Sequence, residues 1–132
     1  MEAFPSGKTG TCVKADFTKL DVGGETYYVS HYYMNWWDAD AACKALGKSL
    51  LSADDLLTDW DETAWRNGTK NTFTRNELAK ELYTNVFGGT GAPYIWTSDD
   101  YDSCGAFLVL LRNGFVYSNH RNYNDTFFAV CR

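Results

Sequence analysis

The sequence predicts an α+β domain in which a small antiparallel sheet is flanked by two to three helices and stapled by disulfides. Apolar residues recur at helical spacing after Asn35 and again after Thr74. Further along, a strand-like segment alternates about Asn113-Gly114, which is a strong hairpin signal. Four well-separated cysteines supply the staples. Together these patterns favour one compact unit with helices first and a sheet-rich C-terminal third.

Size and charge narrow the class of protein. The 132 residues make a single domain, 1–132, which is long enough to bury about two thirds of the unfolded surface. A hydrophobic share of 45% with 17% aromatic residues opposes disorder. The net charge of −5 and the scattered basic residues argue against nucleic acid as a partner. No apolar run approaches the length of a membrane span, so we expect no membrane insertion by this domain.

The cysteines bear on the compartment. Cys12, Cys43, Cys104 and Cys131 include no closely spaced pair of the kind that binds zinc. An even, well-spaced set fits disulfides in an oxidising, extracellular or cell-surface location, and three pairings are possible. The alternative is four buried free thiols in a cytosolic protein. Residues 1–5 lack the features of a signal peptide, so we expect any targeting or anchoring segment to lie outside this stretch.

The first half of the chain predicts strands and then a helix. Residues 1–11 indicate a flexible lead-in, residues 11–20 a short edge strand, and residues 25–30 a second strand. Asn35 is a good N-cap for a helix that ends at Gly47. The inner side of this helix is rich in alanine, which permits a close approach to a sheet.

Two further helices are predicted before the terminal sheet. Ser52 is a second N-cap, and its helix is expected to run to about Trp60. Residues 64–72 are polar and turn-like. Thr74 and Glu77 have the spacing of a capping box and predict a third helix, which the glycines from Gly88 onward would end.

An acidic cluster follows the helix predicted after Ser52. Asp59, Asp61 and Glu62 indicate either a cation site or a solvated helix end. We favour the helix end, because hard cations need six or more oxygens from a shaped loop.

The terminal sheet decides which residues are displayed. Residues 94–97 and 104–112 predict strands, the latter returning through the hairpin, and residues 127–132 a closing strand. The core-facing positions are Phe107, Val109, Leu111, Val116 and Ser118, and the outward positions are Leu108, Leu110, Phe115, Tyr117 and Asn119. The outward apolar side chains would form a patch of the kind that marks a partner site. The alternative is that a further layer covers this face.

Several segments together resemble the C-type lectin fold. TYYVS, NWWDADAACKALG and SLLSADDL are similar to its first half, YIWTS to its central strand, and FFAVCR to its last strand. The resemblance covers about residues 25–132, while residues 58–91 depart from it and read as a family-specific insertion with a helix. It implies a disulfide between Cys43 and Cys131, and with it one between Cys12 and Cys104.

The C-terminal third, with WTS, YDSC, Asn113-Gly114 and the final VCR, resembles bacterial C-type-lectin-like variable proteins of diversity-generating retroelements and related paralogous surface domains. That resemblance implies an extracellular or surface-displayed domain that binds a protein or glycan ligand, as a displayed tip fused to an anchor or pilin-like segment. An ordinary polar loop has the same composition, so diversification and plain polarity both stay open. The implied contact residues are Asp100, Asp102, Leu108, Leu110, Phe115, Tyr117, Asn119, His120, Asn122, Tyr123 and Asn124.

The alternative function is a calcium-dependent carbohydrate-binding lectin. Such lectins carry Glu-Pro-Asn or Gln-Pro-Asp, which this chain lacks. Tyr123-Asn124-Asp125 resembles their second motif but lies too close to Cys131. A calcium loop beginning at Asp100 would have a leucine where a bidentate glutamate is needed. We therefore expect no metal and no cofactor.

Catalysis is the least supported class. His31 and His120 are the two histidines. A nucleophilic pair of Cys104 and His120 is possible in principle, but a disulfide at Cys104 would remove the thiol. We therefore expect no enzymatic activity.

Overall fold

The computed structural model describes residues 17–30, 32–123 and 127–132, together with the backbone of residues 3–5 and 12–14. Within these ranges the chain is α+β, as predicted. Its strands form a two-stranded, a three-stranded and a four-stranded sheet rather than one small sheet. No helix in the described part of the chain is long and apolar enough to cross a membrane.

The N-terminal strands differ in part from expectation. Strands β1 (Ala3–Pro5) and β2 (Cys12–Lys14) pair antiparallel, so residues 3–5 of the expected flexible lead-in are strand. The expected edge strand over 11–20 is divided between β2 and β3 (Phe17–Val22). Strand β4 (Glu25–Ser30) lies where the sequence predicts it and forms a hairpin with β3.

Helix α1 (Trp36–Ala45) follows its local sequence signals closely. The Asn35 side-chain oxygen accepts a hydrogen bond from the Asp38 N–H at 2.8 Å, as an N-cap does. Gly47 has a φ of +70°, which suits the residue that ends a helix. The buried side of the helix consists of small side chains, those of Ala39, Ala42 and Cys43, so the helix packs close to the sheets.

The predicted second helix is much shorter than expected. Ser52 and Asp55 do form a capping box, but only a 3₁₀ turn follows, Ala53–Asp55. Leu57 forms a bridge with Arg75 instead of a further helical turn, because that course buries both Leu56 and Leu57 in the core. Helix α2 (Glu62–Arg66) instead lies partly within the segment expected to be a turn.

The third helix has a different cap from the one predicted. Helix α3 (Glu77–Glu81) continues into a π turn, Leu82–Val86, and its N-cap is Asn76, which accepts from the Ala79 N–H at 3.0 Å. Thr74 is not the cap because its N–H and its hydroxyl both donate to Asp59, at 2.6 and 3.1 Å, which turns its side chain away from the helix. The segment 58–91 is part of the main core, to which it contributes Phe73, Leu78, Ala79 and Leu82.

The four-stranded sheet has the order β7-β6-β5-β8. Its strands are β5 (Tyr94–Asp100), β6 (Gly105–Leu110), β7 (Val116–His120) and β8 (Phe127–Phe128). Strand β8 lies parallel to β5, so the sheet is not wholly antiparallel. The closing strand expected over 127–132 is divided, because β9 (Val130–Cys131) pairs with β4 in the three-stranded sheet.

One disulfide joins α1 to β9. Cys43 and Cys131 are bonded with their Cα atoms 5.2 Å apart, which confirms the pairing that the resemblance implies. The second implied pairing is corrected: Cys104 is a free, exposed thiol, in a turn held by its own hydrogen bonds rather than by a crosslink. The Cys12 side chain lies outside the described residues.

Strand β6 is buried on both faces. Phe107, Val109, Leu111 and Val116 lie in the main core, as predicted. Leu108 and Leu110, expected to face outward, are 0% and 3% exposed. A second cluster, containing Met34, Trp96 and Phe127 with the inner side of α1, covers Leu108. A further layer therefore covers the β6 part of this face, where α1 and the closing segment pack, while Tyr117 on β7 stays exposed as predicted.

Candidate recognition site at one end of the four-stranded sheet

Two turns meet at one end of the four-stranded sheet. The β5–β6 turn comprises residues 101–104, and the chain leaves β7 through residues 121–123. Gly105 pairs with His120 and Ala106 with Asn119, so the register of β6 and β7 brings the two turns together. We call residues 100–104 and 119–123 the recognition end.

The β5–β6 turn is compact and held by its own hydrogen bonds. The Asp102 Oδ1 accepts from the backbone N–H groups of Cys104 and Gly105, at 2.9 and 2.7 Å. The Tyr101 N–H donates to the Gly105 carbonyl at 3.0 Å. A Cβ atom at Gly105 would lie 3.1 Å from the Asn119 carbonyl oxygen, so glycine permits the close approach of β7.

Arg121 joins the two turns to α1. Its side chain is buried, with the residue 6% exposed, and it forms an ion pair with Asp100. It also donates to the carbonyls of Asp102 and Ser103, at 3.3 and 3.5 Å. The guanidinium lies 4.7 Å from the ring centre of Trp36, a cation–π contact. Sequence reasoning missed this residue, because an arginine among polar residues is ordinarily exposed.

Two adjoining cavities open at the recognition end and share His120. The first has a volume of about 140 Å³ and is lined by Tyr101, Asp102, Gly105, Ser118, Asn119 and His120. The second has a volume of about 160 Å³ and is lined by Trp37, Ser103, Cys104, His120, Arg121 and Asn122.

These cavities gather part of the predicted contact set. Four members line them, and Asp100 is held beside them by Arg121. Tyr101, Ser118 and Trp37 also line them, although the sequence did not single them out as contacts. The sequence does contain a signal for Tyr101, because an aromatic residue that lies between two aspartates in a turn is expected to be exposed. Ser118 was predicted to face the core but is half-buried at the first cavity.

The two predicted contact tyrosines lie on a neighbouring aromatic patch. Tyr117 and Tyr123 are 41% and 40% exposed. Their rings lie 6.5 and 5.1 Å from that of the buried Phe127, and Tyr94 lies 5.9 Å from Tyr117. Burial, and next the neighbouring Tyr117, raises the pKa of Tyr94. These rings are therefore anchored at one side and open to solvent at the other.

The remaining predicted contacts do not join the site. Leu108 and Leu110 are core residues. Phe115 is half-buried at the other end of the hairpin, where it bridges to Thr72. Asn124 lies outside the described residues.

The acidic groups have protein partners. Asp59 accepts from Lys70 and Thr74, Asp61 caps α2, and Glu62 pairs with Arg66. Among the residues that the structure describes, no group of three or more acidic, histidine or cysteine side chains is placed to hold a metal ion. The acidic cluster is thus explained by helix capping and ion pairs.

Asp99 links the site to the core. Its Oδ2 accepts from the Ala53 N–H at 2.7 Å, which ties β5 to the 3₁₀ turn. Burial raises the pKa of Asp99; the Ala53 hydrogen bond opposes that shift, and Glu62 adds to it. This carboxyl therefore supports the strand that carries the β5–β6 turn.

Comparison of the chain with protein-family models, with curated proteins and with solved structures finds no match.

Proposed function

We propose that this chain is an extracellular or surface-displayed ligand-binding domain of the C-type-lectin-like type, which binds a protein or glycan through its recognition end. The observation that carries the proposal is the convergence of Asp102, Asn119, His120 and Asn122 on two adjoining cavities. These side chains are short and polar and stand beside exposed tyrosines, the mixture that antibody loops use. Arg121 fixes their turns to a packed scaffold, and a site held in this way binds with little ordering cost.

The disulfide supports the fold type and the compartment within this proposal. Cys43 and Cys131 join the first helix to the last strand, which is the pairing that the resemblance implies. A buried disulfide is consistent with an oxidising compartment. Trp96, in the segment similar to the family's central strand, is fully buried, as a scaffold residue would be.

Burial narrows the positions at which sequence diversification would be tolerated. Asn122 and His120 are exposed, so many side chains fit there without disturbing the core. Leu108 and Leu110 are not, and varying them would open cavities or bury polar groups. The genomic locus tests this: a template repeat beside a reverse transcriptase gene should differ from this sequence at adenines in codons for exposed positions.

A calcium-dependent lectin is the second candidate, and the geometry favours it less. Asp100 is paired with Arg121, and one oxygen of Asp102 is occupied by two backbone N–H groups. A lectin of this type should gain thermal stability when millimolar calcium is added. We expect no shift in melting temperature, and a shift of several degrees would favour the calcium lectin.

Binding is also favoured over catalysis. The Cys104 thiol is free and lines one cavity with His120, so the expectation that a disulfide removes it is wrong. The Cys104 Sγ contacts the Ser103 Oγ at 3.8 Å, and no hydrogen bond joins it to His120 in the part of the chain that the structure describes. A thiol nucleophile needs an oriented base, and this pair lacks that contact.

A paired set of variants tests the proposal. One variant replaces Asn119, His120 and Asn122 with alanine, and its control replaces the exposed Glu77, Lys80 and Thr84 of the α3 region with alanine. Both are screened against a glycan array and a displayed peptide library. We expect the ligands that the wild-type domain selects to be lost by the first variant and kept by the control. Equal loss or equal retention in the two variants would contradict the proposal.

A further inference from the structure

The first cavity is the size of one side chain. Its volume of about 140 Å³ is below the roughly 300 Å³ at which pockets for drug-sized ligands begin. It would hold about five water molecules at about 30 Å³ each. An occupant that fills it is therefore no larger than one residue, which is the size of an anchor side chain of a larger partner.

The lining of this cavity is oriented for a cation. Both backbone hydrogen bonds to Asp102 use its Oδ1 and fix the carboxylate in one orientation. The Tyr101 ring stands beside it, 5.7 Å from the rings of both Trp65 and Phe107, which hold it in place. Asn119 and Ser118 complete the lining with polar side chains, and the Asn119 Oδ1 also accepts from the His120 N–H at 2.7 Å. Carboxylate, ring face and neutral oxygens together are what a guanidinium or ammonium group binds.

The same turn already binds two guanidinium groups of its own chain. Asp100 pairs with Arg121, and the Arg66 guanidinium lies 5.2 Å from the Tyr101 ring centre. Arg66 also donates to the Tyr101 carbonyl at 2.8 Å. Carboxylate, ring and backbone carbonyl of this turn are therefore each suited to arginine.

Charge favours a basic partner. The chain carries a net charge of −5, and Asp99, Asp100 and Asp102 fall within four consecutive residues. The ion pair of Asp100 with the buried Arg121 cancels both charges, and Arg66 is paired with Glu62, so Asp99 and Asp102 leave this end negative. A positively charged segment would be steered to this end of the molecule.

We infer that the first cavity is an anchor pocket for an arginine side chain of a protein partner, with the Asp102 carboxylate and the Tyr101 ring as its receiving groups. This inference rests on the proposed function and selects its protein ligand over its glycan ligand. Arginine is preferred to lysine because its planar guanidinium can donate to the Asp102 Oδ2, which the two backbone hydrogen bonds leave free, and stack on the Tyr101 ring at the same time.

Amide chemical shifts of the ¹⁵N-labelled domain test the pocket directly. The probe is N-acetyl-arginine methylamide, and the matched probe is the citrulline analogue, which has nearly the same shape without the charge. We expect saturable shifts at Gly105, Asn119 and His120 with the arginine probe at up to tens of millimolar, weakened by added salt. Absence of saturable shifts, or equal shifts with citrulline, would overturn the inference.

Two variants identify the receiving groups. Asp102→Asn keeps the Oδ1 acceptor that holds the turn but removes the charge, and should weaken binding of the arginine probe about tenfold or more. Asp21→Asn, an equal charge change on exposed β3, should leave it unchanged. If the spectrum of the Asp102 variant shows a rearranged turn, Tyr101→Leu provides the second reading through loss of the ring. If the variant that preserves the turn, Asp102→Asn or otherwise Tyr101→Leu, binds the arginine probe as tightly as the wild type does, the arginine pocket is refuted.

The two proposals fail separately. Glycans selected by the wild-type domain and lost by the triple alanine variant, with no response to the arginine probe, would sustain the recognition end and overturn the arginine pocket. Arginine-probe binding that depends on Asp102, with ligand selection unaffected by the triple variant, would sustain the pocket and overturn the wider recognition end.

Discussion

The two ends of the β6–β7 hairpin differ in what covers them. At one end, residues 111–114 turn beneath the segment 58–91: the Phe73 N–H donates to the Gly114 carbonyl at 3.0 Å, and Arg75 donates to the Leu111 carbonyl at 3.1 Å. At the other end, the β5–β6 turn and residues 121–123 are tied down by Arg121 while their remaining side chains face solvent. One end is sealed by a distant segment, and the other is fixed from beneath.

The end of the hairpin with the stronger turn signal is therefore not the end at which ligand binding is proposed. The sealed end carries Asn113-Gly114, a strong signal for a two-residue hairpin turn, yet that turn does not form. Such a turn of the I′ type needs a positive φ at both residues, and no non-glycine residue in the described ranges has one. The loop instead spans four residues, with Gly114 alone in that conformation. Ligand binding is proposed at the other end, whose sequence carries no comparable turn signal.

The largest expected effect is at the sealed end. An alanine Cβ at position 114 would lie 2.0 Å from the Phe73 carbonyl oxygen, at a φ of +84°. Gly114→Ala should therefore lower the free energy of unfolding by about 3 kcal/mol or more, from strain and overpacking together. Urea unfolding measures it.

Gly24→Ala is the matched control for this change. Gly24 has the same φ of +84° and nothing within 4 Å of a Cβ. It should cost only the conformational part, about 1–2 kcal/mol. Equal losses for the two variants would show that the hairpin end is not sealed by Phe73.

The second effect is at the recognition end. Arg121→Met keeps an apolar stem against Trp36 but removes the bonds to Asp100, Asp102 and Ser103. We expect a loss of about 2 kcal/mol in unfolding free energy, since Asp100 is largely exposed and its ion pair contributes little. Amide shifts of residues 100–104 should change, and ligand binding should fall. Unchanged shifts there would show that Arg121 does not hold the β5–β6 turn.

A smaller, pH-dependent effect tests the hydrogen bonds of Asp59 within the segment 58–91, which covers the sealed end. Hydrogen bonds from Lys70 first, then from Thr74, lower the pKa of Asp59 from 3.8 to about 2. Because the folded-state pKa is depressed, its stabilisation is present above pH 3.8 and is lost as the pH falls toward 2. Asp59→Asn should lower the melting temperature by a few degrees at pH 7 and flatten its fall below pH 4. An identical acid limb in the variant and the wild type would contradict this role.

The smallest effect concerns the Cys104 thiol. It is free and exposed, so a thiol reagent should modify it in the folded protein, and Cys104→Ser should lower the number of reactive thiols by one without changing the melting temperature. A wild-type protein with no accessible thiol, destabilised by this substitution, would restore the pairing with Cys12.

Local signals predicted local structure well. The two ends of α1 were predicted correctly from Asn35 and Gly47, because helix capping depends on hydrogen bonds and φ angles within a few residues. Ser52 gave a real capping box but not a long helix, because Leu56 and Leu57 are drawn into the core. The cap expected at Thr74 moved to Asn76 because Asp59, fifteen residues earlier, bonds to Thr74.

The sequence by itself therefore determined α1, strand β4 and which residues of β6 and β7 share a face. The register, which sets Leu108 opposite Tyr117, follows from the four-residue loop that the structure shows. Its resemblance to a known fold added the Cys43–Cys131 bond. Only the tertiary structure decided that Leu108 is covered, that Arg121 is buried and that one hairpin end is sealed. Alternation specifies which residues share a face of a strand, but burial of that face depends on segments far away in the chain, here Met34, Phe127 and Phe73.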